Sequence, residues 1–167
     1  LAAAAVLVMV LLKGMGPPLP SNKGFDGAVK DYLSSEQSFA SNSALGSLPQ
    51  LAVALASEFG YPYVWDFSPL GMNLAGARIE HLPGGQTVAY ALYKGARGSI
   101  LCINFRQLDY QLPPGGQELH GVRFYKYKDL NIGVVRYGTV FCYLVTRLTP
   151  SQMAPALVVG APRTATS

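Results

Sequence analysis

The stretch "QTVAYALYKGARGSILCINFR", residues 86–106, decides how this chain folds. Its first half alternates, with Val88, Tyr90 and Leu92 on one side and Ala89, Ala91 and Tyr93 on the other. A period of two is the mark of a strand. Gly95-Ala96-Arg97-Gly98 then turns the chain. "SILCINFR" follows with both faces apolar near its centre, and a strand of that kind belongs in the middle of a sheet, covered on both sides. The stretch 140–145, within "TVFCYLVTRL", has the same character.

Working outward, "LAGARIEHL" from Leu74 reads as a strand that reaches residue 86 through a turn at Pro83-Gly84-Gly85. Downstream, "QLDYQLPPGGQELH" reads as a long loop. "GVRFYKYK", "NIGVVRYG" and "TVFCYLVTRL" read as further strands with short turns between them. Short connections predict an antiparallel meander sheet of about five to six strands.

Before Leu74 the period is that of helices. Phe25, Val29, Tyr32 and Leu33 share one face over 25–40. A second helix is expected over 48–59, its inner side formed by Leu51, Leu55 and Phe59. Ser47 would cap it, with Pro49 early, Gln50 at capping-box spacing and Gly60 as the stop. The two helices are expected to pair and cover one side of the sheet. Thr149, Pro150 and Gln152 start a short helix over 150–158 in the same way. The aromatic segment "YPYVWDFSPLGMN", with the sole Trp65, reads as a lid on one end of the core rather than a ligand platform. The fold class is α+β: helices first, then the sheet, then a short helix.

Of the 167 residues, half are apolar and 13% are charged, so the chain has a sizeable core. Mean hydropathy is +0.23. A net charge of +4 is too mild and too scattered to mark a nucleic-acid binder. Arg123, Lys126, Lys128 and Arg136, interleaved with Phe124, Tyr125 and Tyr127, resemble an RNA-binding sheet in composition. Strand alternation, however, puts Lys126 and Lys128 on the side away from Tyr125 and Tyr127, as on a solvated edge.

The opening run, Leu1 to Leu12, is apolar on every side and is followed by Lys13. Twelve helical residues span about 18 Å, against a bilayer core of about 30 Å. The run lacks the basic start and small-residue end of a signal peptide. Its all-round apolarity is also wrong for an ordinary surface helix. It reads as the C-terminal part of a transmembrane helix over 1–13, with Leu1, Val6, Leu7, Val8, Met9, Val10, Leu11 and Leu12 as the anchor. A Pro/Gly stalk follows over 14–24, a folded α+β domain over 25–158 and a flexible tail over 159–167.

Phosphate loops, dinucleotide fingerprints, nucleophile elbows and zinc-protease motifs are all absent from the sequence. His81, His120, Cys102 and Cys142 match zinc in ligand type but not in spacing. Asp109 and Glu118 share a loop and read as solvated. The expectation is therefore no catalytic residues, no metal and no cofactor. Cys102 and Cys142 each sit mid-strand, and two readings stay open: one disulfide, or two buried thiols.

Gly76-Ala77-Arg78-Ile79, then Val88-Ala89-Tyr90-Ala91-Leu92-Tyr93, then Ile100 to Phe105 follow a G-[GA]-R-[VIL], V-A-x-x-x-Y, apolar-strand order. Gly121-Val122-Arg123-Phe124 and Leu144-Val145-Thr146-Arg147-Leu148 continue it. With the anchor and stalk, this order resembles the extracytoplasmic domain of membrane-anchored bacterial anti-sigma factors. The family's H-x-x-x-C-x-x-C zinc-associated domain does not occur in this sequence and would lie before Leu1. Thr146-Arg147 also replaces the family's usual Ser-Asp.

The resemblance implies a single-pass inner-membrane protein whose soluble domain lies in the periplasm or outside the cell. That domain would be non-enzymatic and would bind protein partners in or at the membrane, with the bilayer met through the N-terminal helix and no nucleic acid involved. The alternative is an accessory structural subunit of a larger membrane complex, such as a photosynthetic or respiratory assembly. Sequence leaves the oligomeric state open.

Overall fold

The computed structural model describes residues 23–38, 45–107 and 112–160. Helix α1 spans Lys23–Ser38 and α2 spans Leu48–Phe59. A 3-10 turn at Ser68–Leu70 leads into the strands β1 (Met72–His81), β2 (Thr87–Gly95) and β3 (Gly98–Arg106). Then come β4 (Gln117–Leu119), β5 (Val122–Tyr127), β6 (Leu130–Tyr137) and β7 (Val140–Thr146), and α3 (Pro150–Gly160) closes the series. All seven strands form one antiparallel sheet in the order β1-β2-β3-β7-β6-β5-β4. The fold is mixed α+β.

Three expectations need correction. The sheet has seven strands rather than five or six, because the end of the long loop, Gln117–Leu119, pairs with β5. Three polar-rich residues carry no alternation to read. What makes them a strand is the two-residue turn His120-Gly121, both at positive φ (50° and 78°), the geometry that matches strand twist in a tight hairpin.

Second, the sheet is not one meander. β1–β2–β3 is one and β4–β5–β6–β7 another. The connection after Arg106 carries the chain to the far edge, so the second meander returns to set β7 beside β3. The doubly apolar strands thereby sit third and fourth in the seven-strand order, and β7 is buried along its whole length.

Third, α1 and α2 do not pair. They cover opposite faces of the sheet. Phe25, Ala28, Val29 and Tyr32 of α1 pack on Leu101, Ile103, Phe141 and Tyr143. Leu51, Leu55 and Phe59 of α2 pack on the other face with Ala91, Cys102 and Cys142, joined there by Met153, Ala156 and Leu157 of α3. Strands apolar on both faces demand this, because two helices on one side would leave the other face in water.

Local signals largely hold. Ser47 caps α2, its hydroxyl accepting from the Gln50 N–H at 3.4 Å, and Gly60 ends the helix at φ 79°. The Gln50 side chain reaches back one residue further than a capping box, accepting from the Gly46 N–H at 3.1 Å. At α3 the box is complete: the Thr149 N–H donates to Gln152 Oε1 at 2.8 Å, and the Gln152 N–H donates to Thr149 Oγ1 at 3.3 Å. Leu33, expected on the inner face of α1, is exposed, and Ala28 sits inward instead. α1 begins two residues inside the expected stalk, and α3 continues to Gly160, past the expected boundary at 158.

Polar contacts fix α1 near its start and past its middle. Tyr32 shares a 2.9 Å hydrogen bond with buried Ser99, and Lys128 Nζ meets Asp26 Oδ1 at 2.8 Å. The ring of Phe25 lies 5.3–5.7 Å from those of Tyr125, Tyr127 and Tyr143. Among the described residues, no helix is long and apolar enough to cross a membrane. The anchor expected over 1–13, most of the stalk and Asp109 lie outside the described residues.

Candidate functional site

The cysteines sit on the two central strands, on the α2 face. Cys102 lies opposite Leu144 and Cys142 lies opposite Asn104, so the two are diagonal neighbours. Diagonal pairs stand about 7–8 Å apart, whereas a disulfide usually bridges about 4.4–6.8 Å between Cα atoms. Both cysteines are free and buried. Burial, and then a hydrogen bond with Cys142, pushes the Cys102 thiol well above the ordinary thiol range. A group held in the protonated form is a poor nucleophile and a poor metal ligand.

Around them lies a buried polar cluster. Tyr61 donates its hydroxyl proton to buried Asn104 Oδ1 at 2.8 Å. Burial raises the Tyr61, Tyr93 and Tyr137 phenols far above their usual value. The Tyr137 hydroxyl is buried with no hydrogen-bond partner among the described residues. The free space nearby, about 10 Å³ between Trp65, Tyr93 and Cys102, is smaller than a substrate. This cluster is core.

The other residues singled out by sequence stay apart. His81 is exposed at the mouth of the β1–β2 hairpin, 3.1 Å from Thr87 Oγ1. His120 is exposed in the β4–β5 turn, and no group of three or more potential metal ligands occurs among the described residues. Glu118 pairs with Arg123 at 3.3 Å on the exposed edge. Trp65 is buried and stacks on Phe67 at 5.8 Å. Phe124 is buried under the α2 face and Tyr125 under α1, so neither ring offers an open surface for a base to stack on.

Two concavities were not legible in the sequence. One is an apolar groove of about 640 Å³ beside α2 and the edge strand β1. Leu45, Pro49, Val53, Ala54 and Ile79 line it, and Gln50, Ser57 and Glu58 rim it. Val53 is 72% exposed. Leu45 reaches the site because its backbone pairs with Ala77 through two hydrogen bonds of 2.9 and 3.0 Å. Ile79 reaches it as the last residue of the Gly76-Ala77-Arg78-Ile79 motif.

The second concavity lies between α1 and strands β2 and β3. It measures about 240 Å³ and includes Asp31, Tyr90 and Phe105. A single Asp on the helix carried no motif, and its partner Tyr90 is 59 residues away. A third, larger depression at the end of the sheet, about 740 Å³, is lined by Glu58, the Gly84–Thr87 turn, Arg106 and Thr139. It brings together one carboxylate and one guanidinium and no nucleophile–base pair. Compared with models of known families the chain matches none, and it matches none of the curated proteins either.

Proposed function

We propose that this chain is a membrane-tethered, non-enzymatic protein-interaction domain. In this reading it resembles the extracytoplasmic regulatory domain of a membrane-anchored bacterial anti-sigma factor. The observation that carries the reading is the groove between α2 and β1. Val53 is left 72% exposed there and Ile79 half-buried, inside a polar rim. An apolar patch rimmed by polar groups is the ordinary anatomy of a protein contact. The motif on which the resemblance rests supplies one wall of that groove through Ile79. The buried thiols fit an oxidising compartment as well as a reducing one, since no oxidant reaches them directly.

Site-specific photocrosslinking from position 53 of the full chain, in its native membrane, tests the reading. A discrete protein adduct that disappears in an Ile79→Glu variant is expected. Crosslinks to lipid alone, or an adduct indifferent to Ile79→Glu, would remove the support. The accessory-subunit alternative predicts that the partner stays bound in fixed proportion after mild detergent extraction. A regulatory domain with a transient partner does not require that. Release of the intact full-length chain by carbonate washing would refute the integral anchor.

A further inference from the structure

Along one flank of α1 the side chains are small. Gly24, Gly27 and Ala28 form the roof of the 240 Å³ cavity, and a Cβ built on Gly27 would meet nothing within 4 Å. The floor is apolar and comes from the sheet: Val88 on β2, and Ile103 and Phe105 on β3. At one end stands Asp31, one helical turn beyond Ala28. Gln86 and Gln107 add polar residues to the lining.

Asp31 is about half buried, and its carboxylate makes no ion pair with a cationic side chain among the described residues. The Tyr90 hydroxyl donates to Asp31 Oδ2 at 3.4 Å, long for an O–H···O bond, whose usual range is about 2.5–3.0 Å. Burial is the main influence on this carboxyl and raises it above its ordinary value. The charge of Glu80 acts in the same direction, while the Tyr90 hydrogen bond, Arg78 and Lys30 oppose it. The Arg78 guanidinium lies 5.0 Å above the Tyr90 ring, and its Nε pairs with Glu80 at 2.6 Å. A half-buried carboxylate at the end of an apolar slot is thus left with unused acceptor sites, in surroundings that penalise its charge.

We propose that this cavity binds a small organic ammonium compound, its cationic head on Asp31 and its apolar body lying on Val88, Ile103 and Phe105 beneath Gly27. An anion would meet Asp31 and Glu80. A neutral apolar molecule would bury the carboxylate further without compensating it. A divalent metal would need more oxygen ligands than the site gathers. The volume falls below the roughly 300–1,000 Å³ of sites for drug-sized ligands, so the occupant is one ring or a short chain. The cavity lies on the opposite face of the sheet from the groove, and the proposal does not depend on which protein the groove meets.

The test uses the full-length chain in detergent and three probes of one shape: 2-phenylethylamine, 2-phenylethanol and 3-phenylpropionate. Binding is read by titration calorimetry and ligand-observed NMR. The expected order is amine over alcohol by roughly tenfold or more, the value of one charge-assisted hydrogen bond in a part-buried site, with no binding of the acid. Asp31→Asn is expected to abolish the preference for the amine. Val88→Phe, which enlarges a buried side chain lining the slot, is expected to weaken binding of both probes. Circular dichroism establishes that each variant is folded. Equal binding of amine and alcohol, an amine preference that survives Asp31→Asn, or no binding of millimolar amine to the folded full chain would each overturn the proposal.

Discussion

Toward α1 the sheet presents Tyr90, Ile103, Phe105, Phe141 and Tyr143, whereas toward α2 it presents Ala77, Ala89, Ala91, Cys102 and Cys142. The coverings are inverted to match. The large sheet residues lie under a single helix with Gly24, Gly27 and Ala28 along one flank. The small ones lie under two helices and the rings of Phe59, Tyr61, Trp65 and Phe67. The outcomes still differ. Under α2 the centre of the sheet is filled, with about 10 Å³ left beside Cys102, and space opens only at the margin, in the groove against β1, while the α1 face keeps a 240 Å³ slot over strands β2 and β3. The aromatic segment 61–67 makes the difference, because irregular backbone lets its rings settle into whatever space the alanines leave.

The largest expected effect comes from emptying the filled face. Phe67 is 1% exposed and sits 4.8 Å from Tyr93, edge to face. Phe67→Ala should cost about 3–5 kcal/mol in urea unfolding of the full chain. Phe105→Ala, at the wall of the open slot, should fall at the low end of that range, about 3 kcal/mol, because that ring already borders space. Equal losses would break the contrast between the faces.

Overfilling the same face comes next. A methyl group on Gly133 would fall 2.9 Å from both the Phe124 ring and Val122 Cγ1. Gly133→Ala should therefore cost about 1–3 kcal/mol. On the open face the sign should reverse: Gly27→Ala places a methyl in free space on an exposed helix position and should gain about 0.5–1 kcal/mol. A loss at Gly27 would mean that the α1 flank is as tight as the other face.

The buried hydroxyls sharpen the comparison further. Tyr61→Phe leaves Asn104 Oδ1 without its donor and should cost about 1–2 kcal/mol. Tyr137→Phe removes a hydroxyl with no partner among the described residues, so it should be neutral or slightly stabilising. The reverse order of melting temperatures would contradict this account of the polar cluster.

The smallest effect concerns Asp31 and depends on pH. Its folded-state value is raised above 3.8, chiefly by burial. Its favourable contribution is therefore complete below about pH 3.8 and is lost as pH rises through the raised value. Asp31→Asn should match the parent in acid and melt higher at neutral pH. A gap between the two that narrows with rising pH would show that the carboxylate is stabilised rather than strained.

Much of the fold was written locally. Alternation at Val88, Tyr90 and Leu92 placed those residues on one face and Ala89, Ala91 and Tyr93 on the other, which is how they divide between the two cores. Doubly apolar β3 and β7 implied central positions, and Ser47, Gly60 and Thr149 marked helix ends. The β4 strand, by contrast, exists only because β5 lies within reach of a tight turn. The candidate sites were less legible still. The groove joins Leu45, Val53 and Ile79 from three separate segments, and the slot joins Asp31 to Tyr90 across 59 positions. No local pattern encodes such pairs.

Sequence by itself determined the type of every element but β4, the two-sided burial of the central strands and the division of side chains between faces. All three follow from the fixed periods of helix and strand. Only the tertiary structure decided which face each helix covers, how the second meander returns to set β7 against β3, and where helix and sheet fail to close. Those outcomes depend on matching volumes between segments far apart in the chain, and packing of that kind is settled only when the pieces meet.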